Sequence, residues 1–288
     1  MAQPPVTLIR PFWRKVALIA FFVCVGSCSS VQFAYNNVDY WIRWKIRDYV
    51  DLNRAQAVEL QAAMDSFFRW HRQTQLQRYA EFLTHLADGV DKGALENPRL
   101  EPVEQQLQQF LHSASDSAYD LLLPIVAQLD KHQIDELQKN LQKKQQQALE
   151  EWQQPPEKIR RKRNRQIRKE GERWLGHLSQ EQIQLIAAWV SKVEYNPQSR
   201  SAQRQRWQSK AIDLLRSKPP GYLETLRNLL VDPQQLWPPH YRQAQERRQE
   251  QARELAEQIL ASTSPAQRHH LSRALREYAR NFRILASQ

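Results

Sequence analysis

From residue 31 to the C-terminus, apolar residues recur at three- and four-residue steps and nowhere alternate over any length. The first spacing lays them along one stripe of a helix; alternation, the mark of a half-buried strand, is missing. Gln, Glu, Arg, Leu and Ala dominate, all residues that lose little freedom in a helix, while β-branched residues are sparse. The expected fold is all-α: an elongated or curved multi-helix bundle of helical hairpins. One domain is expected over residues 31–288, with any division into subdomains near 153–157.

Proline and glycine punctuate the helices. The pattern predicts helices over 38–50, 55–87, 103–129, 133–152, 158–175, 182–193, 201–215 and 222–230, then a closing hairpin of 241–260 and 265–285. Pro124 is expected to kink the third of these. With only 6 Gly in 288 residues, and with neither G-x-G-x-x-G nor a P-loop, a nucleotide-binding α/β enzyme is disfavoured.

One helix start recurs four times: Asn53-Arg-Ala-Gln56, Asp130-Lys-His-Gln133, Ser179-Gln-Glu-Gln182 and Ser264-Pro-Ala-Gln267. Each is a capping box, in which the cap side chain accepts from the third helical amide and the Gln reaches back to the cap amide. Leu52, Leu129 and Leu178 precede the first three caps. The Leu-cap-x-x-Gln pattern resembles the LTXXQ motif of the Spy/CpxP periplasmic chaperones, with Asn, Asp or Ser in place of Thr. That likeness implies a shared structural device and transfers no activity.

The N-terminus predicts export. Arg10, Arg14 and Lys15 make a positive region before a ten-residue apolar run, Val16–Val25. Ten residues are too few to span a bilayer and suit a signal peptide. Val25-Gly26-Ser27-Cys28 resembles the lipobox of bacterial lipoproteins. The resemblance implies cleavage after residue 27, acylation (palmitate-type chains) of Cys28 and a short lipidated tether, 28–30. Two or three chains anchor stably where one does not. Ser29, rather than Asp, resembles the outer-membrane pattern, which implies an anchor at the outer membrane with the body on the periplasmic face. Cys24 would be lost with the signal peptide, so no disulfide is expected.

Cys28-Ser-Ser-Val-Gln-Phe-Ala-Tyr-Asn-Asn37, then Trp41, Asp48-Tyr-Val-Asp-Leu52 and Trp70-His71-Arg72, resemble a family of uncharacterised bacterial outer-membrane lipoproteins known only by a domain of unknown function. Its members often carry a Pro before the following Tyr, whereas Gln77 and Arg78 precede Tyr79 here. The resemblance implies a helical lipoprotein and assigns no catalytic residue.

Several residues are candidates for function. His71 sits between Trp70 and Arg72, with Glu81 on roughly the same face almost three turns away. Acting with carboxylates from another helix, His71 would serve an envelope hydrolase; packed among aromatics, it is a core residue. His269 and His270 are adjacent and point apart, and no two His stand at i, i+4, so neither metal nor cofactor is expected. Asp48 and Asp51 near Tyr35, Asn36 and Asn37 read as turn and cap residues or a polar site. The aromatic stretch from Phe33 to Tyr49, with Trp41 and Trp44, is core, membrane interface or partner surface.

Charge supplies the last constraint. There are 42 Lys and Arg against 31 Asp and Glu. Losing the first 27 residues removes three basic and no acidic residues, leaving +8. Lys158–Arg173 concentrates nine basic residues against Glu170 and Glu172. Such a run is either a solvated face or an anion-binding surface, with Arg161, Arg165 and Arg168 as the candidates. After export the available anions are anionic lipid, lipopolysaccharide and envelope proteins; nucleic acid is disfavoured. The expected function is a non-enzymatic outer-membrane lipoprotein whose periplasmic helical domain binds proteins or anionic envelope components, chaperone-like action being one form of that binding.

Overall fold

The computed structural model describes residues 28–150, 153–194 and 196–288. The signal-peptide reading of residues 1–27 therefore lies outside the described residues, as does the side chain of Cys28. Every regular element among the described residues is helical, and the protein is an all-α assembly of packed helices. In order, α1 is Cys28–Asn36, α2 Val38–Arg47, α3 Arg54–Trp70, α4 Gln77–Asp91, α5 Glu101–Ala127 and α6 Lys131–Glu150. Then come α7 Pro156–Leu175, α8 Gln180–Lys192, α9 Pro197–Ser217, α10 Tyr222–Val231, α11 Pro239–Ala261 and α12 Pro265–Ala286.

The prolines act as starts. Pro156, Pro239 and Pro265 fall in the first turn of α7, α11 and α12, where a missing amide costs nothing. Pro124 lies inside α5, which continues through it to Ala127. Helix α1 begins at Cys28, in the stretch read from sequence as a tether. The expected 38–50 helix stops at Arg47, where the Asp48 and Tyr49 amides donate back to Lys45 and Ile46 in a tight turn. The expected 55–87 helix is interrupted: His71–Leu76 form a π-helical turn between α3 and α4. Helix α4 runs past Gly89 to Asp91, and Gly93 takes the left-handed conformation beyond, at φ +91°.

The chain divides into two compact units. Unit 1 takes the chain up to Phe67, Phe110–Gln153 and Pro197–Leu236; unit 2 takes Phe68–Gln109, Gln154–Asn196 and Trp237–Gln288. Unit 1 packs α6 against α9, with Leu129, Ile134, Ile212, Leu215, Leu226 and Leu229 buried together and Val50 added from the α2–α3 turn. Trp207 Nε1 and the Tyr119 hydroxyl tie this core to the α10 carbonyls of Leu229 and Leu230, each at 2.9 Å. Unit 2 packs α12 along α4, with Tyr79 edge-on to Phe282 at 6.0 Å and Arg276 reaching Asp88 and Asp91. Gly171 lets α7 approach Leu178, since a Cβ there would meet its methyls at 3.2 Å.

The four capping boxes lie at four turns between consecutive helices, and within each unit they meet in a pair. In unit 1, Gln56 Nε2 donates to Gln133 Oε1 at 3.0 Å and Gln133 Nε2 donates to Gln56 Oε1 at 2.7 Å. In unit 2, Gln182 and Gln267 exchange the same two bonds at 3.2 and 2.8 Å. Each amide oxygen also accepts from its own cap amide, at 2.9 to 3.1 Å. Each spare Nε2 hydrogen serves the other turn: Gln56 bonds the Gln128 carbonyl, Gln133 that of Asp51, Gln267 that of His177, and Gln182 the Ile259 carbonyl and Ser262 hydroxyl. The four glutamines are at most 6% exposed. A buried primary amide is costly unless its donors and acceptor are satisfied, and this clasp satisfies them.

Candidate functional site

The basic helix α7 occupies unit 2. Its docking follows from its few apolar residues. Ile159 and Ile167 are half-buried, Leu175 is buried, and Trp174 lies against Tyr278 of α12 with ring centroids 5.3 Å apart. Arg163 lies over the Trp189 ring of α8 at 5.7 Å, a cation–π contact that holds the middle of the helix to its hairpin partner. Gly176, at φ +74°, ends the helix and turns the chain into the Ser179 box.

The remaining face of α7 and the adjoining face of α8 enclose an open groove of about 710 Å³. Arg160, Arg161, Arg165, Arg168 and Lys169 line it from α7, with Asn164 among them; Ala187, Val190 and Ser191 line it from α8. Its acidic residue is Glu172, which reaches Arg168 only at 4.0 Å. Arg160 pairs with Glu157 within its own turn. Arg161, Arg165 and Lys169 make no ion pair with any described residue. Cations at i, i+4 spacing on one face repel one another, and a bound anion relieves that repulsion. Guanidinium groups also offer phosphate or carboxylate oxygens a bidentate fork. The groove thus brings together the three arginines singled out from sequence. Sequence reasoning missed Asn164 and the α8 wall, because Ala187 and Ser191 carry no charge or motif to mark them.

The other candidates lie elsewhere. His71 is in the π-helical turn, 3% exposed, edge-on to Tyr79 at 5.4 Å and beside Trp70. Burial, aided by the Arg72 charge, pulls its pKa down to about 3, so the ring is neutral. Glu81 is exposed and accepts from Gln77 at 2.8 Å. The structure does not bring His71 and Glu81 together, and His71 lines neither the α7–α8 groove nor the smaller one along α9. Among the described residues no group of three or more His, Cys, Asp or Glu is arranged to hold a metal. Asp48 is a structural acid. Burial would raise its pKa, but Lys45 at 2.6 Å and Lys144 at 3.3 Å outweigh that and lower it.

In the aromatic stretch, the core reading holds for Tyr35 and Val38, both buried, and fails for Phe33, Tyr40, Trp41 and Trp44, which are 48–69% exposed. On α2 the apolar residues span a broad arc, with Asp39, Arg43 and Arg47 on the remaining side, and unit 1 covers only part of that arc. No described helix is long and apolar enough to cross a membrane.

A family model described only as a family of unknown function, DUF6279, matches residues 48–242. The chain belongs to this family. The matched stretch of the DUF6279 protein holds α7, α8 and three of its four capping boxes; the Ser264 box and α12 follow it. No curated protein and no solved structure matches the chain.

Proposed function

We propose that this DUF6279 protein is a non-enzymatic lipoprotein of the bacterial outer membrane, anchored through acyl chains on Cys28, which binds anionic envelope components in the α7–α8 groove. The observation that carries the reading is the set of cations in that groove, with Arg161, Arg165 and Lys169 outside any ion pair with a described residue. The lipobox-like Val25-Gly26-Ser27-Cys28 supports the anchor and Ser29 the outer membrane. The deep burial of His71 favours binding over hydrolysis. The paired capping boxes support kinship with the Spy/CpxP motif as a way of building a turn, and chaperone-like holding of acidic protein segments is one form the binding takes.

The test is binding of residues 29–288, which contain both cores, to anionic vesicles and to lipopolysaccharide. A basic residue near an anionic surface is worth about 1 kcal/mol, so Arg161→Gln, Arg165→Gln and Arg168→Gln together should weaken binding roughly a hundred-fold. Raising the salt should weaken the wild type in the same direction, as the Debye length shrinks from about 10 Å at 0.1 M to 3 Å at 1 M. If the triple variant keeps its helical spectrum and binds as tightly as wild type at low salt, α7 is only a solvated face.

A further inference from the structure

Six large hydrophobic residues among those described are exposed, and four of them, Phe33, Tyr40, Trp41 and Trp44, fall within twelve residues of one another. On α2, positions 40, 41 and 44 span an arc of about 100°. Phe33 lies seven residues earlier, about two turns back on the adjoining helix. Tyr35, Val38 and Val50 are buried, and Asn140 of α6 secures the turn after α2 by donating to the Tyr49 carbonyl at 3.0 Å. The rings are ordered against one another: Tyr40 meets Trp41, and Trp41 meets Trp44, edge-on, both pairs 6.1 Å apart. Lys45 lies 5.7 Å from the Trp44 ring, and Arg47 is exposed beside it. A preformed aromatic face of this size calls for a cover.

We propose that this face lies in the interfacial layer of the lipid bilayer, with α1 and α2 parallel to the membrane plane and the rest of unit 1 above them. The inference rests on the reading that the N-terminal end of the chain is held at a membrane. Position and chemistry both select lipid over another cover. Cys28, the anchor in that reading, precedes Phe33 by only five residues. At 1.5 Å per helical residue, Phe33 lies about 8 Å along α1 from Cys28, and Trp44 about 9 Å along α2 from Val38. A helix standing end-on to the surface would carry its rings out of reach, so all four rings meet lipid only if both helices lie flat. Trp and Tyr prefer this layer, where an apolar ring enters the acyl boundary while its N–H or O–H stays hydrated. Lys45 and Arg47 border the rings at the height where phosphate headgroups lie.

The experiment uses the processed chain purified from membranes and reconstituted in vesicles. An environment-sensitive fluorescent amino acid replaces Trp41, or Glu224 on an exposed part of α10 as a control, and shallow nitroxide-labelled lipids serve as quenchers. Interfacial helices sit about 5–10 Å into the headgroup–acyl boundary, within reach of such nitroxides, so emission at 41 should fall at least about two-fold and emission at 224 should not. Mass spectrometry of the same sample reports separately whether Cys28 is acylated. Quenching at 41 with an unmodified Cys28 sustains the membrane face and removes the anchor. An acylated Cys28 with no quenching at 41 keeps the anchor and overturns the membrane face. Protection of 41 from aqueous iodide without nitroxide quenching also overturns it, in favour of a protein cover.

Discussion

The paired glutamines of unit 1 are capped by Asn53 and Asp130, those of unit 2 by Ser179 and Ser264. The amide and carboxylate caps accept the helical amide at 3.0 and 2.8 Å; the two hydroxyl caps, one bond shorter, accept it at 3.2 Å. The far edges differ as well. Gln56 and Gln133 each bond the carbonyl two residues before the other cap, Gln128 and Asp51. In unit 2 Gln267 does the same with His177, whereas Gln182 takes the Ser262 hydroxyl at that position together with the Ile259 carbonyl. What is common to both is the reciprocal amide pair. The two clasps teach that the glutamine is the fixed part of the turn and the cap is exchangeable within the polar set.

The sharpest way to break this comparison is to remove one amide. Gln56→Ala or Gln182→Ala deletes the reciprocal pair, the return bond to the cap amide and a bond to the other turn, and strands the partner glutamine in a buried site. An unsatisfied buried polar group costs about 1–3 kcal/mol, so each substitution should destabilise its own unit by roughly 3 kcal/mol or more. Chemical denaturation followed by amide hydrogen exchange in α3 and α8 locates the loss. Gln56→Ala should release protection in α3 and spare α8, and Gln182→Ala the reverse. In a double-mutant cycle, Gln182→Ala with Gln267→Ala should show coupling of about 1–2 kcal/mol. Additive losses would mean the two boxes merely sit side by side.

A second difference is pH. Among the described residues the buried polar side chains of unit 1 are Gln56, Gln133 and Gln203, none of which titrates; unit 2 also buries His71. Its folded pKa, about 3, lies below the ordinary 6.5, so the unfolded chain takes up the proton first. The stability this gives is complete above pH 6.5 and is lost as pH falls toward 3. Each pH unit in that window costs at most about 1.4 kcal/mol, or about 2 kcal/mol at pH 5. Unit 2 should therefore open before unit 1 on mild acidification, measured as hydrogen exchange at pH 7 and pH 5. His71→Phe should flatten that slope. If the slope survives the substitution, another group drives it.

How much of this was visible in the sequence follows from the range of each interaction. The capping boxes were legible because each is a four-residue event, and α7 was legible because a run of cations cannot be buried. Which boxes meet was not, because Gln56 and Gln133 are 77 residues apart and Gln182 and Gln267 are 85 apart. A local pattern carries no information on which turns share a core. The π-helical turn at His71–Leu76 was hidden for a related reason, since Gln77 and Arg78 supply no proline to mark a break. The exposure of Trp41 and Trp44 was hidden because helical periodicity marks an apolar face without saying what covers it. The groove was half-legible: α7 announces its cations, but the uncharged wall from α8 appears only once the hairpin closes around Gly171.

The smallest expected effects come from the caps, and they test whether the cap is the exchangeable part. Ser179→Ala removes the acceptor for the Gln182 amide at the first turn of α8 while leaving the Gln182–Gln267 pair in place. Losing a cap of this type costs about 1 kcal/mol, and Asn53→Ala should cost the same in unit 1. Asn53→Ser goes further, because it gives unit 1 the cap that unit 2 uses. Asn and Ser rank nearly equal at this position, so the exchange should cost only a few tenths of a kcal/mol. Thermal or urea denaturation of the three variants resolves that order. The Gln56 amide would then be held by a hydroxyl, at the distance seen in unit 2, while the reciprocal bonds to Gln133 keep the turn in register. If Asn53→Ser costs as much as Asn53→Ala, the longer side chain is part of the unit 1 clasp, and the two units are similar turns with separate chemistry.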